Sequence, residues 1–298
     1  MRRRFVTLDV FTGTRFAGNP LAVVFEAEGL DTATMQLIAR EFGHPETVFV
    51  LPPQNPAHRA KLRIFTPAIE LPFAGHPTVG AAVALGRLDG KGAGEIVVEE
   101  NVGPVRCKIE PLDADSGRAT FGIPKLPESV GPAADSAAIA EALGVDAADI
   151  GFDGIEPSCW SAGNAFTFVP LRSMASIKRA QPDSSRFETV LGTRGRATAY
   201  LFCRETAEAE NDFHARMFAP TFGMREDPAT GSAAAAFAGV LAATGQYRDG
   251  DHRVRIEQGY EMGRPSLIEL TLTMRGGKLA AATIGGSAIV VTEGVIEA

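Results

Sequence analysis

Three stretches of the first half of this chain recur, in the same order, in the second half. Phe16 to Val24 (F-A-G-N-P-L-A-V-V) resembles Ser161 to Val169 (S-A-G-N-A-F-T-F-V). Arg63 to Pro67 (R-I-F-T-P) resembles Arg216 to Pro220 (R-M-F-A-P), and Ala74 to Ala82 (A-G-H-P-T-V-G-A-A) resembles Thr230 to Ala236 (T-G-S-A-A-A-A). The offsets are 145 residues from Gly18 to Gly163, 153 from Arg63 to Arg216 and 156 from Gly75 to Gly231. One match of this kind is weak, but three in order with a slowly growing offset indicate an internal duplication. A period near half of 298 residues gives two copies of one domain, not a solenoid of short units.

Local patterns fill in each copy. Asp31 to Phe42 reads as a helix with Asp31 as N-cap and Met35, Ile38 and Phe42 on one face. Thr47 to Leu51 and Ala60 to Phe65 read as strands. Pro77 to Leu85 reads as a second helix with Pro77 in its first turn. In the second half, Ala199 to Cys203 and Phe213 to Phe218 read as strands, and Ser232 to Ala243 as an alanine-rich helix ended before Gly245. Late strands are expected at Leu267 to Met274, Lys278 to Ile284 and Ala288 to Thr292. Gly90 to Gly94 leads into a strand, Glu95 to Glu99, and reads as a turn, not as a phosphate-binding loop. Pro124, Pro127, Pro132 and the stretch 131–135 mark a boundary. The expected architecture is α+β: two pseudo-twofold-related domains, each a mixed sheet around a central helix, with the active site in a cleft between them. The first domain spans 1–124 and is joined by the last strand, about 286–298; the second spans 125–285.

Charge and cysteine usage narrow the function. A net charge of −7 gives no general attraction for nucleic acid or an anionic membrane surface. No apolar run approaches the length of a membrane span, and Phe5 to Phe11, interrupted by Asp9, is too short for a signal sequence. Cys107, Cys159 and Cys203 are an odd number with no C-x-x-C pair, which suits buried or free thiols in the cytoplasm. His44, His58, His214 and His252 have no metal-ligand spacing, so no metal is expected.

Chemistry concentrates at the two repeated helix starts. Gly75-His76-Pro77 and Gly231-Ser232-Ala233 each put glycine where unpaired N–H groups and the positive end of a helix dipole are exposed. Either glycine alone reads as a means of tight helix–strand packing; the two as a pair read as an anion site. Glu46, between His44-Pro45 and an apolar strand, is a candidate general base or else a solvated loop acid. Asp227, before Pro228, is a candidate proton-transfer partner or else a turn residue. His76 could cap its helix, donate to a ligand oxygen or shuttle a proton.

At these residues the chain resembles the phenazine-biosynthesis PhzF-like isomerases, whose fold is that of diaminopimelate epimerase. The similar stretches are Phe11 to Val24, Pro45 to Val50, Arg63 to Ala81, Arg216 to Ala234, Glu257 to Ser266 and Gly285-Gly286. The resemblance implies that Glu46 is the general acid/base and that His76, Asp227 and Ser232 bind and polarise substrate. It also implies that Gly75 and Gly231 hold a carboxylate and that Gly18 and Asn19 line the cleft. It further implies a cofactor-free isomerase of a small carboxylate-bearing molecule, assembled as a homodimer. His44-Pro45 departs from the small polar pair that often precedes the glutamate. Two-thiol racemases and epimerases share this fold, but their cysteine positions are Ala74 and Thr230 here, so that chemistry lacks its thiolates. Two other readings stand beside the isomerase: a lyase or dehydratase that expels water after the same proton abstraction, and a non-catalytic ligand-binding protein.

Overall fold

The computed structural model describes residues 1–90, 93–220 and 224–298. The expected turn at 90–94 therefore lies in part outside the described residues. Contacts divide the chain into two compact units, Met1–Pro124 with Gly285–Ala298, and Lys125–Ile284. Gly285 thus groups with the first unit.

The first unit contains β1 (Arg2–Val10), β2 (Asn19–Val24), α1 (Thr32–Phe42), β3 (Glu46–Leu51), β4 (Ala60–Phe65), β5 (Glu70–Leu71), α2 (Gly75–Asp89), β6 (Gly94–Glu100), β7 (Gly103–Pro111) and β8 (Ser116–Gly122). Strand pairs are antiparallel except β2–β3 and β4–β6, which are parallel. The closing strand pairs with β1 on one side and β8 on the other, so the pairings return to their start as a barrel. β7 shows why: Val105, Cys107 and Ile109 face inward, and the alternate residues face out. Inside lies α2, buried on every side from Gly75 to Gly86, as expected of a helix with no polar face. Gly80 brings that helix onto the wall, since a Cβ there would stand 2.5 Å from Leu21 Cδ2 and 2.8 Å from Val10 Cγ2. Outside lies α1, capped by Asp31, which accepts from the Thr34 N–H, and stopped by Gly43 at φ 63°. Its fully buried Met35 packs in a cluster with Phe49 and Phe65 and contributes about 2 kcal/mol by transfer from water.

The second unit contains β9 (Glu128–Pro132), α3 (Ser136–Leu143), β10 (Ser158–Ser161), β11 (Ala165–Pro170), α4 (Met174–Arg179), α5 (Ser184–Leu191), β12 (Gly192–Thr193), β13 (Arg196–Ala197), β14 (Ala199–Cys203), β15 (Phe213–Ala219), β16 (Met224–Asp227), α6 (Gly231–Ala243), β17 (Gly250–Gln258) and β18 (Ser266–Arg275), and it shares β19 (Lys278–Glu297), which runs from it into the first unit as the closing strand. Its pairing pattern copies the first. β11–β14 is parallel as β2–β3 is, β14–β15 antiparallel as β3–β4, and β15–β17 parallel as β4–β6. β15–β16 repeats β4–β5, and β17–β18 repeats β6–β7. The buried helix α6 takes the place of α2. Helices α4 and α5 lie in the β11–β14 crossover, where the first unit has α1, and α3 precedes β10; a separate cluster that includes Leu143, Ile177, Phe187 and Leu201 holds them.

Two expectations are corrected. The strands expected at 278–284 and 288–292 are one strand, β19, because Gly285-Gly286 does not turn. A Cβ at Gly285 would stand 2.4 Å from Thr120 Cγ2, so glycine there permits close approach to β8. The helix expected from Pro77 begins two residues earlier, at Gly75. Proline is tolerated at the third position because the N–H groups of the first turn have no carbonyl partner within the helix; the first such bond is from the Thr78 N–H to the Ala74 carbonyl. Among the described residues no helix is long and apolar enough to cross a membrane.

Candidate active site

The expected site residues fall into two groups, one in each unit. In the first unit, Glu46 opens β3 just after the α1 stop, and its side chain is 12% exposed. His76, the second residue of α2, is buried. The structure brings these two together: His76 Nε2 lies 3.3 Å from Glu46 Oε2. The other face of the imidazole hydrogen-bonds to the backbone of Pro20. Proline has no N–H, so its carbonyl accepts, and with Nε2 turned to Glu46 the donor is Nδ1–H. Burial drives the His76 pKa down to about 3, against the Pro20 bond and helped by nearby His44, so the ring is neutral. The His44 ring stacks on Phe42 with centroids 6.2 Å apart.

Asn19 opens β2, beside Pro20, and Gly18 stands just before it. Gly18 sits at φ 64°, and a Cβ would meet the Val10 carbonyl oxygen at 2.4 Å. Only glycine fits both constraints. The preceding segment also bends sharply, with Phe11 at φ 63° and Phe16 at φ 69°. Buried Asp9 holds it by accepting from the Phe16 N–H at 2.6 Å.

In the second unit, Asp227 ends β16 and is buried. It accepts from the Thr230 hydroxyl at 2.6 Å. Gln258, buried at the end of β17, locks this turn: its Nε2 donates to the Asp227 carbonyl at 2.7 Å and to Thr230 Oγ1 at 3.0 Å, and its Oε1 accepts from the Thr230 N–H at 3.2 Å. Gly231 and Ser232 follow as the first residues of α6, Gly231 buried and Ser232 half-buried.

The two repeated helices share a feature that the others lack. Asp31, Asp135, Ser173 and Asp183 cap α1, α3, α4 and α5 through their side chains. Ala74 and Thr230 give α2 and α6 no side-chain cap; Thr230 spends its hydroxyl on Asp227 instead. Both helices therefore begin with backbone N–H groups that no N-cap side chain satisfies, where an anion is favoured.

Gln258 was missed in the sequence reading. It stands inside the family-like run from Glu257 to Ser266, but a neutral amide belongs to no motif, and only strand register brings it to Thr230. Cys107, Cys159 and Cys203 are buried free thiols, none of them at a helix start. Among the described residues no group of three His, Cys, Asp or Glu side chains is placed to hold a metal ion.

The chain belongs to the phenazine biosynthesis-like (PhzC-PhzF) protein family, whose model matches residues 8–294. It is 49% identical over 296 residues to the uncharacterized isomerase mll1393 of Mesorhizobium japonicum, covering 98% of each chain. It is 33% identical over 292 residues to the trans-2,3-dihydro-3-hydroxyanthranilate isomerase of Pseudomonas chlororaphis, again covering 98% of each. The crystal structure of the PhzF-family phenazine biosynthesis protein of Bacillus anthracis superposes with a TM-score of 0.90 at 26% identity, with both chains fully covered.

Proposed function

We propose that this protein is a cofactor-independent isomerase that moves a proton between carbons of a small carboxylate-bearing substrate, with Glu46 as the acid/base. The observation that carries this reading is the Glu46–His76 contact of 3.3 Å at the uncapped start of α2. The α2 start and the α6 start are the two anion-binding half-sites, with Gly75 and Gly231 lending backbone N–H groups and Ser232 its hydroxyl. Neutral His76 cannot neutralise the substrate carboxylate. Its Nε2 lone pair can instead share the proton that Glu46 has taken, until Glu46 returns it to a second carbon. Asp227, fixed by Thr230 and Gln258, orients the substrate, and Gly18 and Asn19 wall the pocket.

The duplication supports one base, not two. Ala22 pairs with Thr47 and Thr167 pairs with Ala199. The repeat matches Ala22 to Thr167, so the counterpart of Glu46 is Thr198, and that of His76 is Ser232. Neither counterpart is a base. Removal and return of a proton by one group suits isomerisation rather than inversion.

The test is incubation in heavy water with trans-2,3-dihydro-3-hydroxyanthranilate and related small unsaturated amino and hydroxy acids, followed by NMR. Deuterium incorporation with rearrangement, lost in Glu46→Gln, is the expected result. Retention of turnover in that variant would remove Glu46 from its role, and a product lighter by one water would make the enzyme a dehydratase.

A further inference from the structure

A carboxyl group lies buried near the start of α2, with no cation paired to it among the described residues. Glu100 ends β6 and is 6% exposed. Its Oε1 is 2.7 Å from Thr78 Oγ1, and that same hydroxyl oxygen is 2.7 Å from the Ala74 carbonyl. A threonine hydroxyl has one proton and a carbonyl has none. Both contacts are hydrogen bonds only if Glu100 brings the second proton. Then Glu100 donates to Thr78, and Thr78 donates to Ala74. Glu100 Oε2 is also buried and, among the described residues, bonds to nothing. An ionised carboxylate with one bare oxygen in a barrel interior would carry a large desolvation penalty. Thr78 from α2 and the Cys107 thiol from β7 face it, and neither bears charge. Burial accordingly raises the Glu100 pKa to about 8.

The duplication gives an independent argument. β6 and β17 occupy the same place in the two pairing patterns, and Glu100 ends the one as Gln258 ends the other. Gln258 binds the N-cap residue of α6 directly, and Glu100 reaches the N-cap residue of α2 through Thr78. A protonated acid and an amide have the same shape and the same pairing of one acceptor with a donor. Both copies thus place a neutral hydrogen-bonding group behind their uncapped helix start.

We propose that Glu100 is a positioning residue that works as a neutral carboxylic acid, donating to Thr78 and thereby fixing the first turn of α2, where Gly75 and His76 stand. This rests on the reading of that turn as a half-site for the substrate carboxylate. A neutral acid holds the turn without cancelling the positive end of the helix, which an ionised one would do.

The experiment compares the full chain with Glu100→Gln and Glu100→Ala by two readouts that need no substrate, so they stand apart from any failure to find turnover. The first is infrared spectroscopy at pH 6, where the wild type should show a carboxylic-acid C=O band that Glu100→Gln lacks. The second is amide hydrogen exchange at Thr78, whose N–H donates to the Ala74 carbonyl, and at Val79 after it. Glu100→Gln should exchange like the wild type, and Glu100→Ala about tenfold faster, the worth of one buried hydrogen bond. Should Glu100→Ala fail to fold, Thr78→Val cuts the same relay and should show the same acceleration. Identical infrared spectra for wild type and Glu100→Gln, or exchange as fast in Glu100→Gln as in the relay-cutting variant, would overturn the proposal.

Discussion

Arg216 grips Glu226 with two parallel bonds, from Nε to Oε1 and from Nη2 to Oε2, both at 2.8 Å. Arg63 takes the same hold on Glu70, at 2.8 and 2.6 Å. Each guanidinium also lies over a phenylalanine two residues along its strand, 4.6 Å from the Phe218 ring centroid and 5.1 Å from that of Phe65. The duplication thus preserved a three-residue device as well as a topology. The two forks are not equally buried: Arg216 is 9% exposed and Arg63 19%. Arg216 further donates to the Ile177 and Ala180 carbonyls at 2.9 and 3.1 Å, tying α4 to β15.

Arg216→Met should therefore destabilise by about 3–5 kcal/mol, because it removes the buried fork that holds the half-buried Glu226 carboxylate and the tie to the Ile177 and Ala180 carbonyls. Arg63→Met, at the wetter fork, should cost about 1–2 kcal/mol. Urea denaturation of the two variants measures the difference, and equal losses would contradict the burial argument.

Stability should fall on the alkaline side through His214. Both its nitrogens face acceptors in the interior, Nδ1 at 2.7 Å from Glu257 Oε1 and Nε2 at 2.9 Å from Glu261 Oε1. Burial works against the charge, but the two carboxylates outweigh it and hold the imidazole up at about 9. The folded protein keeps a proton that the unfolded chain releases near 6.5. The contribution is complete below pH 6.5 and lost as pH rises through 9. It amounts to roughly 3 kcal/mol. Denaturant midpoints between pH 6 and pH 10 should show this slope, and His214→Gln should flatten it.

Gly18→Ala should lose both stability and activity. The new methyl meets the Val10 carbonyl at 2.4 Å on a backbone at φ 64°, a strain of about 1–3 kcal/mol. Thermal unfolding beside the heavy-water assay separates the two effects; a variant as stable and active as the wild type would show that the bend relaxes freely.

Thr230→Val keeps the shape of the α6 start and removes the 2.6 Å bond to Asp227. A hydrogen bond to a carboxylate is worth about 1.5–3 kcal/mol. If Asp227 orients substrate, kcat/KM should fall about 10- to 100-fold with circular dichroism unchanged.

Much of this was readable from residues alone. Asp31 and Gly43 announced both ends of α1, and the three matched stretches became β2 with β11, β4 with β15, and α2 with α6. Glu46 and His76 were singled out as residue types, but their contact depends on β3 and α2 being brought side by side by the sheet. Glu100 and Gln258 left no mark in the sequence. Their partners lie 22 and 28 residues away, across a helix and a strand register that no local pattern encodes. The run of β19 through Gly285-Gly286 misled for a related reason: glycine signals a turn locally, and here answers to a neighbour, Thr120.

β19 also imposes an order on synthesis. The barrel of the first unit shuts only when residues 285–298 reach β1 and β8, and Ala298 hydrogen-bonds back to Met1. A ribosome emits everything the second unit needs before it emits that last stave. The nascent first unit must wait with two sheet edges bare, and a stray β-strand can pair with them in that interval.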